Sequence, residues 1–263
     1  MADHSAENPV HSVERALVIL EALGRNSRGY GCTELGQLLN LHKSTVHRLV
    51  STLLSYGFVE KDPHNDKYRL GIKIMHMGLE ALNSLDFRKV AIPFIQELVQ
   101  ISRETVQLAV LEGNNVLVVE RDHSPEAITV NLGLRSEVHC TAEGKLLMSY
   151  LAPDKAAGIL REKPMRQYTI NTITEITPMI SHLEKIRSQG FAINAEEMVE
   201  GVRALAAPVF DHNGRNIAAL SIAGPSSRLS LERIYRLVTV LKETCASISM
   251  QLGYNTALNP KDL

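Results

Sequence analysis

The segment from Lys43 to Leu54 narrows the fold most. Val46, Leu49, Val50, Leu53 and Leu54 fall at i, i+3, i+4, i+7 and i+8, the spacing of a helix with one apolar face. The opposite face is then Ser44, Thr45, His47, Arg48, Ser51 and Thr52, with Lys43 at the helix start and no carboxylate. That apolar stripe needs partners. Ser12 reads as the N-cap of a first helix with Val13, Ala16, Leu17, Leu20 and Leu23 inward, stopped at Gly24. Thr33 reads as the cap of a short second helix through Leu39, with Leu35, Leu38 and Leu39 inward, and Asn40-Leu41-His42 forms the turn into the third. Gly57 ends that third helix. Phe58 to Lys61, a polar turn through Asp66, and Lys67 to Leu70 then read as a strand, turn and strand. Three helices and a two-stranded hairpin describe a winged helix-turn-helix.

The whole chain of 263 residues carries 28 Lys and Arg against 29 Asp and Glu, a formal net charge of -1. Any contact with nucleic acid must therefore come from a local patch. Residues 41–73 supply one: Lys43, Arg48, Lys61, Lys67, Arg69 and Lys73 outnumber Glu60, Asp62 and Asp66. Hydroxyls and Lys can bond phosphates and base edges, and Arg can grip guanine bidentately. Lys61, Lys67 and Arg69 of the hairpin are expected against phosphates, setting register and salt-dependent affinity. The alternative is a winged helix used for protein contacts, its polar face merely solvated.

Farther along, residues 71–84 have helical spacing (Ile72, Met75, Leu79, Leu82), and a longer helix runs from Phe87 to Arg103, with Pro93 marking a kink or a break near residue 92. The period changes from residue 105. Val106–Leu111 and Val116–Arg121 form a hairpin, and Ala127–Leu132 reads as a third strand. Helices follow at 141–151, 153–162 and 175–189. A second hairpin pairs Ala204–Phe210 with Ile217–Ala223 across Asp211-His212-Asn213-Gly214, where Asn-Gly suits a tight turn. A final helix opened by Ser230 buries Ile234, Leu237, Val238, Leu241, Cys245, Ile248 and Leu252. The whole is α+β, with a mainly antiparallel sheet in the C-terminal half. The domains read as a flexible arm over 1–11, a winged helix-turn-helix over 12–71, a linker helix over 72–86, an effector-binding domain over 87–254 and a tail over 255–263.

Chemistry is sparse. Cys32, Cys140 and Cys245 are far apart without a CxxC pair, which points away from a disulfide framework or zinc site and fits a reducing cytoplasm. No apolar run reaches membrane-spanning length, and no motif calls for a cofactor or metal. Thr141 caps a helix whose first free N–H groups could receive a carboxylate, although Glu143 already complements that helix end. Ser221 lacks the preceding glycine of a nucleophile elbow. His139 and Cys140, adjacent on extended chain, should point to opposite faces. A hydrolase acting through Ser221 or Cys140 remains a further alternative.

The ordered set Val13-Glu14-Arg15-Ala16-Leu17, Thr33-Glu34-Leu35, Lys43-Ser44-Thr45-Val46-His47-Arg48-Leu49, Gly57-Phe58-Val59 and Tyr68-Arg69-Leu70-Gly71 resembles the IclR family of bacterial transcription regulators. So do His139-Cys140-Thr141-Ala142-Glu143-Gly144-Lys145, Gly190-Phe191-Ala192, Gly201 to Val209 and Ala218 to Pro225. The resemblance implies a winged helix joined by a linker helix to a GAF-like α/β effector domain. One such module contacts too few phosphates of double-stranded DNA for tight specific binding, so a homodimer or tetramer on a near-palindromic operator is expected. The resemblance also implies a small organic-acid effector meeting Ile128, Gly133, Thr141, Ala142, Glu143, Asn194, Ala204, Ser221 and Ala223. Asn194, Ala204 and Ala223 stand where some members have Asp, Cys and Ser, so a less polar pocket is expected. The apolar stripes of 13–23 and 72–82 are expected either as dimer surfaces or as internal packing.

Overall fold

A computed structural model describes residues 10–254; the tail expected over 255–263 and most of the arm expected over 1–11 lie outside the described residues. The chain divides into two compact units between Ser84 and Leu85.

In the first unit, α1 spans His11–Gly24, α2 Cys32–Leu39 and α3 Lys43–Ser55. Helix α1 begins one residue before Ser12, which is therefore not its cap; Val10 holds that position without a side-chain bond. Its inner face is also rotated from the expected stripe. Ile19, Ala22 and Leu23 are buried, whereas Val13 and Leu17 are more than half exposed. The helix is apolar on most of its circumference, and periodicity cannot choose a face when nearly every face qualifies. Helix α2 is capped at Gly31, whose N–H donates to Glu34 Oε2 (2.7 Å), so Thr33 lies inside it. Leu38 points out. Asn40 adopts the left-handed conformation that turns the chain into α3. On α3, Val46 and Val50 are buried and Leu49 and Leu53 half-buried, but Leu54 faces out. Strands β1 (Val59–Lys61) and β2 (Tyr68–Leu70) pair antiparallel, Glu60 opposite Arg69. Helix α4 (Ile72–Asn83) follows, with Ile72, Met75, Met77 and Leu79 exposed.

The second unit opens with α5 (Asp86–Ser102), which runs through Pro93 as one helix. One six-stranded sheet follows, ordered β5-β4-β3-β8-β7-β6 and antiparallel at every pairing. Its strands are β3 (Thr105–Glu112), β4 (Asn115–Asp122), β5 (Arg135–Glu137), β6 (Ala192–Ala195), β7 (Val202–Phe210) and β8 (Asn216–Pro225). Helices α6 (Ala142–Ser149), α7 (Pro153–Glu162) and α8 (Ile176–Gln189) join Ala109, Ala204, Ala206, Ala219 and Ala223 of the sheet in one core. The small alanine side chains let α6 lie close to the strands. Helix α9 (Leu231–Gln251) is capped by Ser230 Oγ, which accepts from Arg233 N–H (3.2 Å).

Two strand expectations change. Ala127–Leu132 forms no strand; β5 lies at Arg135–Glu137 instead and pairs with β4. Side chains rather than a ladder meet the earlier segment's carbonyls, Arg228 donating to Ile128 O and Arg121 to Leu132 O. Edge strand β6 was not anticipated, being only four residues long. The turn between β7 and β8 runs from Asp211 to Arg215, longer than a two-residue Asn-Gly turn, with Asp211 Oδ1 accepting from both Asn213 and Arg215 N–H.

Candidate nucleic-acid interface and effector cavity

Burial of Val46 and Val50 fixes what α3 presents outward: Lys43, Ser44, His47, Arg48, Ser51 and Thr52 are exposed and Thr45 is half-buried. Thr52 Oγ1 donates back to Arg48 O (3.0 Å), so part of its hydrogen-bonding capacity is already used. The hairpin cations differ from their linear count, for each has an acidic neighbour. Lys61 pairs with Asp66 (2.5 Å), Lys67 with Glu34 (3.2 Å) and Arg69 with Glu60 (4.0 Å). The hydrogen bond to Asp66 raises the Lys61 pKa, and the same contact lowers that of Asp66. Arg28, missed in the sequence, lines a cleft of about 310 Å³ with Ser27, Asp62, Lys67 and Arg69. Its only sequence signal was a cation in the loop between α1 and α2.

In the second unit a cavity of about 40 Å³ is lined by strands β3, β4, β7 and β8, the N-terminus of α6 and the segments around Gly133 and Asn194. Of the effector residues implied by the resemblance, Gly133, Thr141, Glu143, Asn194, Ala204 and Ala223 line it. Ile128 does not: its side chain is 72% exposed. Ala142 and Ser221 are fully buried behind the lining. Gln107, Ser136, Met198, Val199 and Val202 also line the cavity and were not foreseen. Gln107 and Ser136 add polar groups to Thr141, Glu143 and Asn194 in the lining, while Ala204 and Ala223 present only methyl groups there.

Thr141 Oγ1 accepts from Gly144 N–H (3.2 Å) and donates to Glu137 O (3.1 Å), capping α6 and anchoring it to the turn before it. Gly144 is required there, since a Cβ would collide with Val138 O and Thr141 Oγ1. Glu143 Oε1 accepts from Gln107 Nε2 (2.6 Å) and Ser221 Oγ (2.5 Å). Gln107 Oε1 in turn accepts from Arg121 Nε (3.0 Å), and the remaining Arg121 nitrogens donate to Leu132 O (2.7 Å) and Gly133 O (2.8 Å). Burial lowers the Arg121 pKa, with the charge of Glu143 acting against that shift. On the other side of α6, Lys145 Nζ donates to Glu197 Oε1 (2.5 Å) and Ile193 O (2.8 Å). Glu197 N–H donates to Asn194 Oδ1 (2.8 Å).

His139 and Cys140 are not on extended chain. A 3-10 turn over Val138–Cys140 brings ligand atoms of Glu137, His139 and Cys140 within 4.8 Å of one another, a juxtaposition that sequence spacing had not indicated. Burial, reinforced by Glu137 and Glu197, pushes the Cys140 thiol up to about 12 and keeps it protonated, the wrong state for a nucleophile. Ser221 Oγ is spent on Glu143. Among the described residues no helix is long and apolar enough to cross a membrane.

A winged helix-turn-helix followed by a sheet domain with an internal cavity defines a one-component sensor of the DNA-binding class. Residues 12–63 match the IclR helix-turn-helix domain and residues 79–250 match the bacterial transcriptional regulator IclR C-terminal domain. The chain belongs to the IclR family of transcriptional regulators, with a helix-turn-helix DNA-binding domain and a C-terminal effector-binding domain. It is 34% identical to the regulator KdgR of Escherichia coli, covering 94% of each chain, and 33% identical to XynR of the same organism, covering 93% of this chain and 98% of that one. Among solved structures, Thermotoga maritima IclR matches with TM-score 0.70 and 27% identity, covering 94% of this chain and 100% of that one. An IclR homologue of Microbacterium hydrocarbonoxydans complexed with 4-hydroxybenzoate matches with TM-score 0.79 and 27% identity, over 92% and 98% of the two chains.

Proposed function

We propose that α3 docks in the major groove of a near-palindromic operator, with Lys43, Ser44, Thr45, His47, Arg48, Ser51 and Thr52 at the DNA and Lys61, Lys67 and Arg69 of the hairpin toward phosphates. The carboxylate-free outer face of α3 carries this reading. The acidic partners of the hairpin cations assign those residues to register rather than to the main charge term, and Arg28 joins them at the backbone. One such module makes too few phosphate contacts for tight specific binding, so a homodimer or tetramer supplies the second. The exposed apolar residues of α1 and α4 are its proposed contact surface. The protein acts as a regulator rather than an enzyme, in the cytoplasm, and a small organic acid in the second unit's cavity changes its operator affinity. The relative that holds 4-hydroxybenzoate supports a small-molecule site.

Fluorescence anisotropy with the chain's own upstream DNA tests this. Arg48→Ala is expected to weaken binding by about 1–3 kcal/mol, and Lys43→Ala to reduce the salt slope by about one. Unchanged affinity and slope in both variants would overturn the assignment of α3.

A further inference from the structure

Glu143 gives the cavity a chemistry of its own. A glutamate carboxylate accepts hydrogen bonds and donates none. One of its oxygens is filled by Gln107 and Ser221, both of which it needs, since Ser221 is fully buried and Gln107 nearly so. The other oxygen, Oε2, accepts nothing from the described residues, and Glu143 lines the cavity. A buried carboxylate with an open oxygen is an acceptor looking for a donor, and it repels another carboxylate at short range.

The remaining polar lining is of the opposite kind. The Glu197 N–H fixes Asn194 Oδ1 as the acceptor, which leaves Asn194 Nδ2 as a donor without a partner among the described residues. Ser136 contributes a hydroxyl that likewise has none. Apolar groups, Val116, Val118, Leu132 and Val202, fill the rest. The polar lining therefore asks for different things, a hydrogen-bond donor at Glu143 and an acceptor at Asn194, and the rest of the lining asks for an apolar body.

We infer that the cavity selects a ligand presenting an O–H or N–H group to Glu143, and that it rejects a small acid whose only polar group is its carboxylate. This rests on the reading of the cavity as the effector site. It narrows the organic-acid class to acids that also carry a hydroxyl or amine, with the carboxylate turned toward Asn194. At about 40 Å³ the cavity holds a few waters rather than such a molecule, so the ligand displaces lining as it enters. The Leu132–Gly133 segment, held by Arg121, and the Met198–Val199 segment are stretches of the lining outside regular elements.

The test is thermal denaturation and calorimetric titration of the full chain with matched probes on a six-carbon chain and on a benzene ring. Each set holds the plain carboxylate, the carboxylate with a distal hydroxyl, and the carboxylate with a distal amine. In the wild type the hydroxyl or amine probe of at least one set raises the melting temperature and the plain acid does not; the better of the two tells a neutral donor from a cation. Glu143→Gln is expected to weaken the amine probe about tenfold or more and to let the plain acid bind. Plain acids binding the wild type as well as their donor-bearing partners overturn the inference, as does the absence of binding by every donor-bearing probe. The wild-type comparison stands whether or not the variant folds. Operator binding measured on the ligand-free protein does not depend on these results, so loss of the ligand class is distinguishable from loss of the regulator reading.

Discussion

Lys145 Nζ lies 2.5 Å from Glu197 Oε1, and neither side chain is more than 8% exposed. The pair ties α6 to the segment after β6, and through the Glu197 N–H to Asn194 at the cavity wall. Desolvation lowers the Lys145 pKa, and the charge of Glu197 and its hydrogen bond work against that. A buried pair of this kind is costly to break by half. Lys145→Met is expected to destabilise by about 3–5 kcal/mol because Glu197 is left without its cation. The double variant Lys145→Met, Glu197→Leu should recover most of that loss. Chemical denaturation of the three proteins decides it; equal losses in single and double variants contradict the pairing.

His182 on α8 gives a pH dependence. Burial lowers its pKa from 6.5, and the nearby Lys145 charge adds to that shift, while Glu197 opposes it and Lys185 reinforces it. Its Nε2 has no hydrogen-bond partner among the described residues. The unfolded chain therefore takes up this proton at a higher pH than the folded one does. By linkage, stability is full above 6.5 and falls as pH drops through the lowered folded value, with a slope of at most about 1.4 kcal/mol per pH unit. His182→Leu should flatten that part of the wild-type curve. Parallel curves for the two proteins between neutral and mildly acid pH refute the assignment.

The hairpin ion pairs lead to a counterintuitive expectation for DNA. If Glu34 and Asp66 offset Lys67 and Lys61, then Glu34→Gln and Asp66→Asn free cations for phosphate. Each change should tighten non-specific binding at low salt and steepen the salt slope by up to about one. A slope that stays put in both variants means the hairpin does not approach the backbone.

Two glycines in helices should respond in opposite directions to alanine. Gly144→Ala forces a methyl into Val138 O and the capping Thr141 hydroxyl and is expected to cost about 1–3 kcal/mol. Gly158 on α7 has open space around the added Cβ, so Gly158→Ala should stabilise by about 0.5–1 kcal/mol. Melting curves that shift in the same direction for both would show that steric fit is not what places glycine at 144.

Local pattern was enough for most elements of both units. The polar and apolar faces of α3 follow from a 3.6-residue period read against clear contrast, and the caps Thr141 and Ser230 from side chains that bond only within the next turn. Where contrast failed, so did the reading: α1 is apolar nearly all round, and only packing against α2 and α3 selects Ile19 over Leu17.

The cavity followed another rule. Sequence order determined that Thr141, Glu143 and Gly144 open one helix, because that is a matter of neighbours along the chain. What Glu143 does there depended on Gln107 and Ser221, residues 36 and 78 positions away, which meet it only because β3 and β8 lie side by side under α6. Hydrogen bonds between strands and helices far apart in the chain leave no periodic trace, so the partners of Glu143, the pairing of Lys67 with Glu34 and the clamp of Arg121 were decided by tertiary structure alone.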